Sequence, residues 1–188
     1  MPSAGPPDLR APWREFLAEA DRLLPGPVQL HCLGGFVVAV RYRLARPTND
    51  IDYVEIIPRD AMESLQRIAG PGSQLAKKHR VHFQHVGVAS LPESYVERLA
   101  ELFPARFEKL RLFEIEAHDL ALSKLARNHP VDRDDVAYLA QTVPLSADIL
   151  RARYRQELRP IITGDPETHD RTLQMWLEAY FVDRKRGD

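Results

Sequence analysis

The chain has 188 residues, 44% hydrophobic and 28% charged, with a net charge of −1 and one cysteine. That length suits one well-buried domain with room for a helical extension, and the composition is that of an ordinary globular protein rather than a disordered or membrane one. No apolar run approaches the roughly 18 residues of a membrane span, Cys32 alone excludes an internal disulfide and points to a reducing cytoplasm, and near-neutral charge argues against non-specific binding to long nucleic acid.

Residues 1–12 carry four prolines and predict a loose arm, with neither the basic flank nor the apolar core of a secretory signal. Trp13, Phe16, Leu17, Ala20, Leu23 and Leu24 then recur at helical spacing, with Pro12 suited to the start and Pro25-Gly26-Pro27 to the stop. Val28 to Leu33 reads as a buried strand running into Gly34-Gly35. Phe36 to Arg43 fits helix or strand by composition; helix is favoured because the strand before it is already complete. After a turn at 46–49, Asp50 to Ile57 (DIDYVEII) reads as a strand closed by Pro58, and Arg59 to Ala69 as an amphipathic helix. A short basic helix and an irregular strand are expected over 73–89, a helix over Pro92 to Phe103, and a strand over Leu110 to Glu116. Beyond Ala117 the pattern is helical: Asp119 to Arg127, Asp132 to Gln141, Ala147 to Leu158 and Glu167 to Asp183.

This order predicts an α/β (α+β) fold, a mixed sheet flanked by helices with a C-terminal helical cap. Residues 1–116 are expected to form the core with its N-terminal arm and helix. Residues 117–188 are expected to form a helical region packed on it.

Chemistry concentrates in the first half. Residues two apart on a strand share a face, so Asp50 and Asp52 project side by side. Two such carboxylates repel unless a cation lies between them, and Mg²⁺ suits a pair because it leaves room for water and phosphate oxygens. Gly34-Gly35 at a strand-to-helix junction lets backbone N–H groups approach a triphosphate at the positive end of a helix. Either feature alone is usually a turn or a solvated face; together, in this order, they point to a metal–nucleotide site.

The stretch LGGFVVAVRYRLARPTNDIDYVEI (Leu33 to Ile56) resembles the signature of the nucleotidyltransferase superfamily: an apolar residue, two small residues, a spacer, then Asp-apolar-Asp. DLALSKLARNHPVDRDDVAYL (Asp119 to Leu139) resembles the lysine and Arg-Asp-x-x-Asp region of AbiEii-like toxins, the nucleotidyltransferase components of type IV toxin–antitoxin and abortive-infection systems. YRQELRP and TLQMWLE resemble a related bacterial family of nucleotidyltransferase-like proteins. The resemblance implies that Gly34 and Gly35 hold the triphosphate, that Asp50 and Asp52 ligate Mg²⁺, and that Thr48 adds a hydroxyl near the phosphates. It further implies that Lys124 neutralises phosphate charge and that Asp135 acts in the same pocket as an acid/base or metal-linked group. Many relatives use a third carboxylate. Glu114 and Glu116 are the candidates here, whereas Glu55, odd-spaced from the pair, is expected to point away.

The implied activity is Mg²⁺-dependent transfer of a nucleoside monophosphate from an NTP to an acceptor, such as an RNA 3′ end, beside a small antitoxin protein. The alternatives are a catalytically inactive nucleotide- or partner-binding module and an enzyme that places AMP on a protein hydroxyl. His79, His82 and His85 lack the cysteine partners of a structural zinc site and read as a basic surface. Arg151, Arg153, Arg155 and Arg159 are candidates for a nucleic-acid groove or for ordinary ion pairs.

Overall fold

The computed structural model describes residues 7–45 and 48–181. Half of the expected arm, two residues of the turn at 46–49 and the end of the expected last helix lie outside them. Contacts divide the chain into two compact units, one over residues 7–88 and 99–115, the other over 89–98 and 116–181. The fold is α/β (α+β), with a five-stranded mixed sheet and, among the described residues, eight α-helices.

In the sheet unit the elements are α1 (Trp13–Leu23), β1 (Val28–Cys32), α2 (Gly34–Tyr42), β2 (Asp50–Ile57), α3 (Ala61–Ala69), α4 (Gln74–His79), β3 (His82–His85), β4 (Ala100–Glu101) and β5 (Leu110–Glu114). The spatial order is β3-β2-β1-β5-β4. β1 runs antiparallel to β2 and parallel to β5; β3 is parallel to β2, and β4 antiparallel to β5. The segment FVVAVRYR is helical, as expected from the completed strand before it. Phe36 to Val40 are all buried, so this helix needs no polar face.

One face of the sheet is the core. Leu30, Cys32, Ile51, Tyr53, Ile56 and Phe83 are fully buried there. Phe16 of α1 meets Phe83 at 5.3 Å, and Tyr53 receives a 2.8 Å hydrogen bond from Gln66 of α3. Trp13 packs edge-on to Phe36 of α2 at 5.6 Å. Asp21, buried on α1, accepts hydrogen bonds from the backbone N–H groups of Glu108, Lys109 and Leu110, which fixes where β5 begins.

An irregularity in β2 decides which residues face that core. His31 pairs with Glu55, yet its neighbour Cys32 pairs with Tyr53, so Val54 is an extra residue, a bulge. Side chains alternate along a strand, and one extra residue inverts the alternation beyond it. Ile56 therefore shares the core face with Tyr53 and Ile51. Asp50, Asp52 and Glu55 all belong to the opposite face, so the expectation that Glu55 points away from the pair is corrected.

The expected helix over 92–103 is also corrected. Only a short 3₁₀ turn forms there (Tyr95–Arg98), followed by the two residues of β4. Leu102 N–H donates to Leu112 O at 2.8 Å, so hydrogen bonds along β5 replace those of a helix. Local helix propensity is weak and yields to such pairing.

The helical unit contains that 3₁₀ turn, α5 (Ala117–Leu122), α6 (Pro130–Thr142), α7 (Ala147–Arg153), a π-helical turn (Tyr154–Leu158) and α8 (Pro166–Phe181). α6 begins with Pro130 in its first turn, and His129 N–H donates to Asp132 at 3.0 Å. The helix expected over 147–158 is continuous in path but changes from α to π winding at Tyr154. Leu120, Leu122, Leu125, Leu139 and Leu158 form the interior, with Trp176 and Leu177 of α8 buried as well.

Candidate active site

The site is built where β1 ends, β2 starts and α2 begins. Leu33 N–H donates to Asp52 O at 3.0 Å, so the residue before the glycines is still held by β2. The chain then turns sharply at Gly34, whose φ of +73° is strained for any residue with a Cβ. A Cβ at Gly34 would overlap Asp52 Oδ2 and lie 3.2 Å from Asp52 Cγ. The carboxylate of Asp52 thus lies directly over the glycine turn, and only glycine fits beneath it. Gly35 follows in the first turn of α2, at its positive end.

Asp50 and Asp52 are both half-buried, on the face of β2 opposite Ile51 and Tyr53. The Thr48 hydroxyl donates a short hydrogen bond to Asp50 Oδ1 and lies 3.3 Å from Asp50 O. Thr48, expected near the phosphates, is thus hydrogen-bonded to the first carboxylate. The parallel register with β3 places His82 beside Asp50 and Gln84 beside Asp52. Sequence reasoning missed both as neighbours of the pair. The alternation in HFQH would have shown them, had the pairing of that strand with β2 been foreseeable.

Within the sheet unit, Glu114 does not share the face of the pair. Glu114 is opposite Cys32 in the β1–β5 register, on the core face, and accepts a 2.8 Å ion pair from Arg41 of α2. Glu116 belongs to the helical unit, where it accepts from the His118 backbone N–H at 3.0 Å, approaches His118 Nδ1 at 2.7 Å and pairs with Arg153. Among the described residues no group of three His, Cys, Asp or Glu side chains could hold a metal ion. Two carboxylates with an adjacent glycine turn still fit Mg²⁺, which binds through one or two carboxylates and completes its shell with water and substrate phosphates. Cys32 is no nucleophile: burial, and then the charge of Asp52, push its thiol pKa far up.

Residues 16–185 match the sequence model of a family described as nucleotidyltransferase of unknown function (DUF6036). The chain belongs to this family. Curated proteins and solved structures give no match. Membership of a nucleotidyltransferase family accords with the glycine turn and the paired aspartates, and implies a nucleotide substrate. Among the described residues no helix is long and apolar enough to cross a membrane.

Lys124 and Asp135 come together, but with each other. Lys124 Nζ lies 2.8 Å from Asp135 Oδ2 and 3.5 Å from Asp132 Oδ1, with all three side chains buried in the helical unit. Asp132 also takes Arg127, at 2.5 Å. Nearby, Asp119 is fully buried between Arg98 (2.7 Å) and Arg153 (2.8 Å), and Arg98 continues to Glu157 at 2.7 Å. The pKa of Glu116 would rise through burial, but His118 and Arg153 outweigh that and hold it down at about 2.

The three histidines diverge. His79 lies 2.9 Å from Glu19, which Lys78 also reaches at 2.6 Å, while His82 sits beside Asp50 and the His85 ring lies 5.3 Å from that of Tyr53.

Proposed function

We propose that the chain is a Mg²⁺-dependent nucleotidyltransferase that moves a nucleoside monophosphate from an NTP to an acceptor hydroxyl. The observation that carries this reading is the glycine turn at Gly34 lying directly under Asp52, on the strand that also presents Asp50. Asp50 and Asp52 would hold the metal ion, which when bound supplies charge stabilisation for the triphosphate and the attacking oxygen. The backbone N–H groups at Gly34 and Gly35 bind phosphate oxygens at the start of α2. Thr48 keeps the Asp50 carboxylate turned toward the site through its hydrogen bond. The acceptor oxygen bonds to the α-phosphorus, the bond to the bridging oxygen breaks, and pyrophosphate leaves with that electron pair while the hydroxyl proton passes to water.

In its narrower form the acceptor is an RNA 3′ end and the chain is the toxin of a pair with a small antitoxin. Support for that form is the resemblance of residues 119–139 to AbiEii-like toxins. There Lys124 and Asp135 would have site roles, beside which their mutual ion pair sets a structural one.

Calorimetric titration of each NTP with Mg²⁺ into wild type and Asp52→Ala tests the reading. Metal-dependent binding by the wild type, weakened at least tenfold in the variant, is expected; equal binding by both would overturn the site assignment. A second reading, a nucleotide- or partner-binding module without catalysis, is favoured by the engagement of Glu114 with Arg41 and not with the aspartates. It predicts NTP binding with no pyrophosphate release from any acceptor offered.

A further inference from the structure

The helical unit carries a cavity of about 290 Å³ between the α7–π segment and α8, which the chemistry above does not use. Arg151, Arg155 and Arg159 line one side of it. At 3.6 residues per turn, side chains four apart drift by about 40° around a helix, so a row of three leaves the line. Here the π turn intervenes: Arg159 N–H donates to Tyr154 O, five residues back, at 2.6 Å. The wider turn winds less per residue and offsets the drift, which keeps the three guanidinium groups on one cavity wall. Such π turns occur frequently at functional sites.

The three arginines are not equivalent. Arg159 is neutralised by Asp170, at 2.9 Å through both Nε and Nη2, and the Tyr154 hydroxyl fixes that carboxylate at 2.6 Å. Arg151 reaches only Asp148, at 3.2 Å, whose own side chain is 96% exposed. The Arg155 side chain makes no hydrogen bond or ion pair to any described residue, and its charge acts only at longer range on Asp170. The opposite wall offers the Gln174 amide and the apolar side chains of Leu173 and Leu177. A pocket with one guanidinium group that has no ion pair to a described residue, a second held only by an exposed carboxylate, a neutral amide and an apolar side matches an anion attached to an organic body.

We propose that this cavity binds a phosphate group, terminal on a small ester or internal to a polynucleotide strand, through Arg151 and Arg155. Planar guanidinium groups favour the paired oxygens of phosphate, and the fixed Asp170–Arg159 pair keeps the wall in shape without adding net charge.

The test uses the full chain in EDTA, which removes any metal-dependent binding at the aspartates. The probes are AMP and a six-nucleotide RNA with hydroxyl ends, followed by calorimetry. AMP binding that Arg155→Glu weakens at least tenfold, and Arg155→Lys largely restores, supports the site with a phosphate monoester as ligand. The same pattern with the RNA alone supports it with a phosphodiester. Arg151→Gln carries the same expectation should Arg155→Glu lower the unfolding temperature. Binding of neither probe, or binding indifferent to these substitutions, overturns the proposal.

Discussion

The two units treat their carboxylates in opposite ways. In the helical unit Asp119, Asp132 and Asp135 are withdrawn from water and matched by arginine or lysine. In the sheet unit Asp50 and Asp52 remain half-exposed, and Asp50 accepts from a threonine hydroxyl. Burial with a full set of counter-charges makes a carboxylate part of the scaffold. Adjacency with partial exposure leaves repulsion that a metal ion can relieve.

The strongest way to break this contrast is Lys124→Met, which removes the buried cation that faces both Asp132 and Asp135. Loss of one partner from a buried pair costs about 3–5 kcal/mol, whereas exchanging both for apolar groups is often nearly neutral. Denaturant unfolding should therefore show a large loss in Lys124→Met and substantial recovery in Lys124→Met/Asp135→Leu. A single variant that is fully stable yet loses nucleotide transfer would move Lys124 from scaffold to site.

Gly34→Ala should cost less in stability, about 1–3 kcal/mol from overlap and a left-handed φ, but should weaken Mg–NTP binding at least tenfold because Asp52 is displaced. Calorimetry and thermal unfolding on the same sample separate the two effects. If binding survives, the close approach of Gly34 to Asp52 is packing alone.

Acid sharpens the comparison at Glu116. Its pKa is about 2 in the fold against 4.5 as the ordinary value, so its contribution to stability is present above about 4.5 and is lost as the pH falls through about 2. Midpoint temperatures measured across that window should fall more steeply in wild type than in Glu116→Gln. The smallest effect is expected at Arg59, whose pair with Glu55 is exposed: Arg59→Ala should change stability by less than about 1 kcal/mol.

Much of this was legible in the residues. DIDYVEII is the strand expected, residue for residue, and the glycine turn with its buried helix follows from apolar runs and local turn chemistry. What stayed hidden depended on distant partners. The segment after Pro92 has helical composition, but β5 offers it a sheet edge. The side on which Glu55 projects depends on a bulge fixed by the register with β1. The engagement of Glu114 by Arg41, 73 residues away, has no local signature. Periodicity reports which face of an element is apolar; it does not report which neighbour will meet the polar one.

Val54 is the residue of β2 that the bulge leaves outside the ladder. Were Val54 taken into the ladder instead, strict alternation from Ile56 downward would turn Tyr53 and Ile51 toward water, and both aspartates would enter the space filled by Phe16 and Phe83. Deleting that one residue would remove no catalytic group and no core side chain, and regular alternation would then keep Tyr53 and Ile51 on the core face and both aspartates on the other. The bulge that holds Val54 out of the ladder is thus as much a component of the site as the carboxylates themselves.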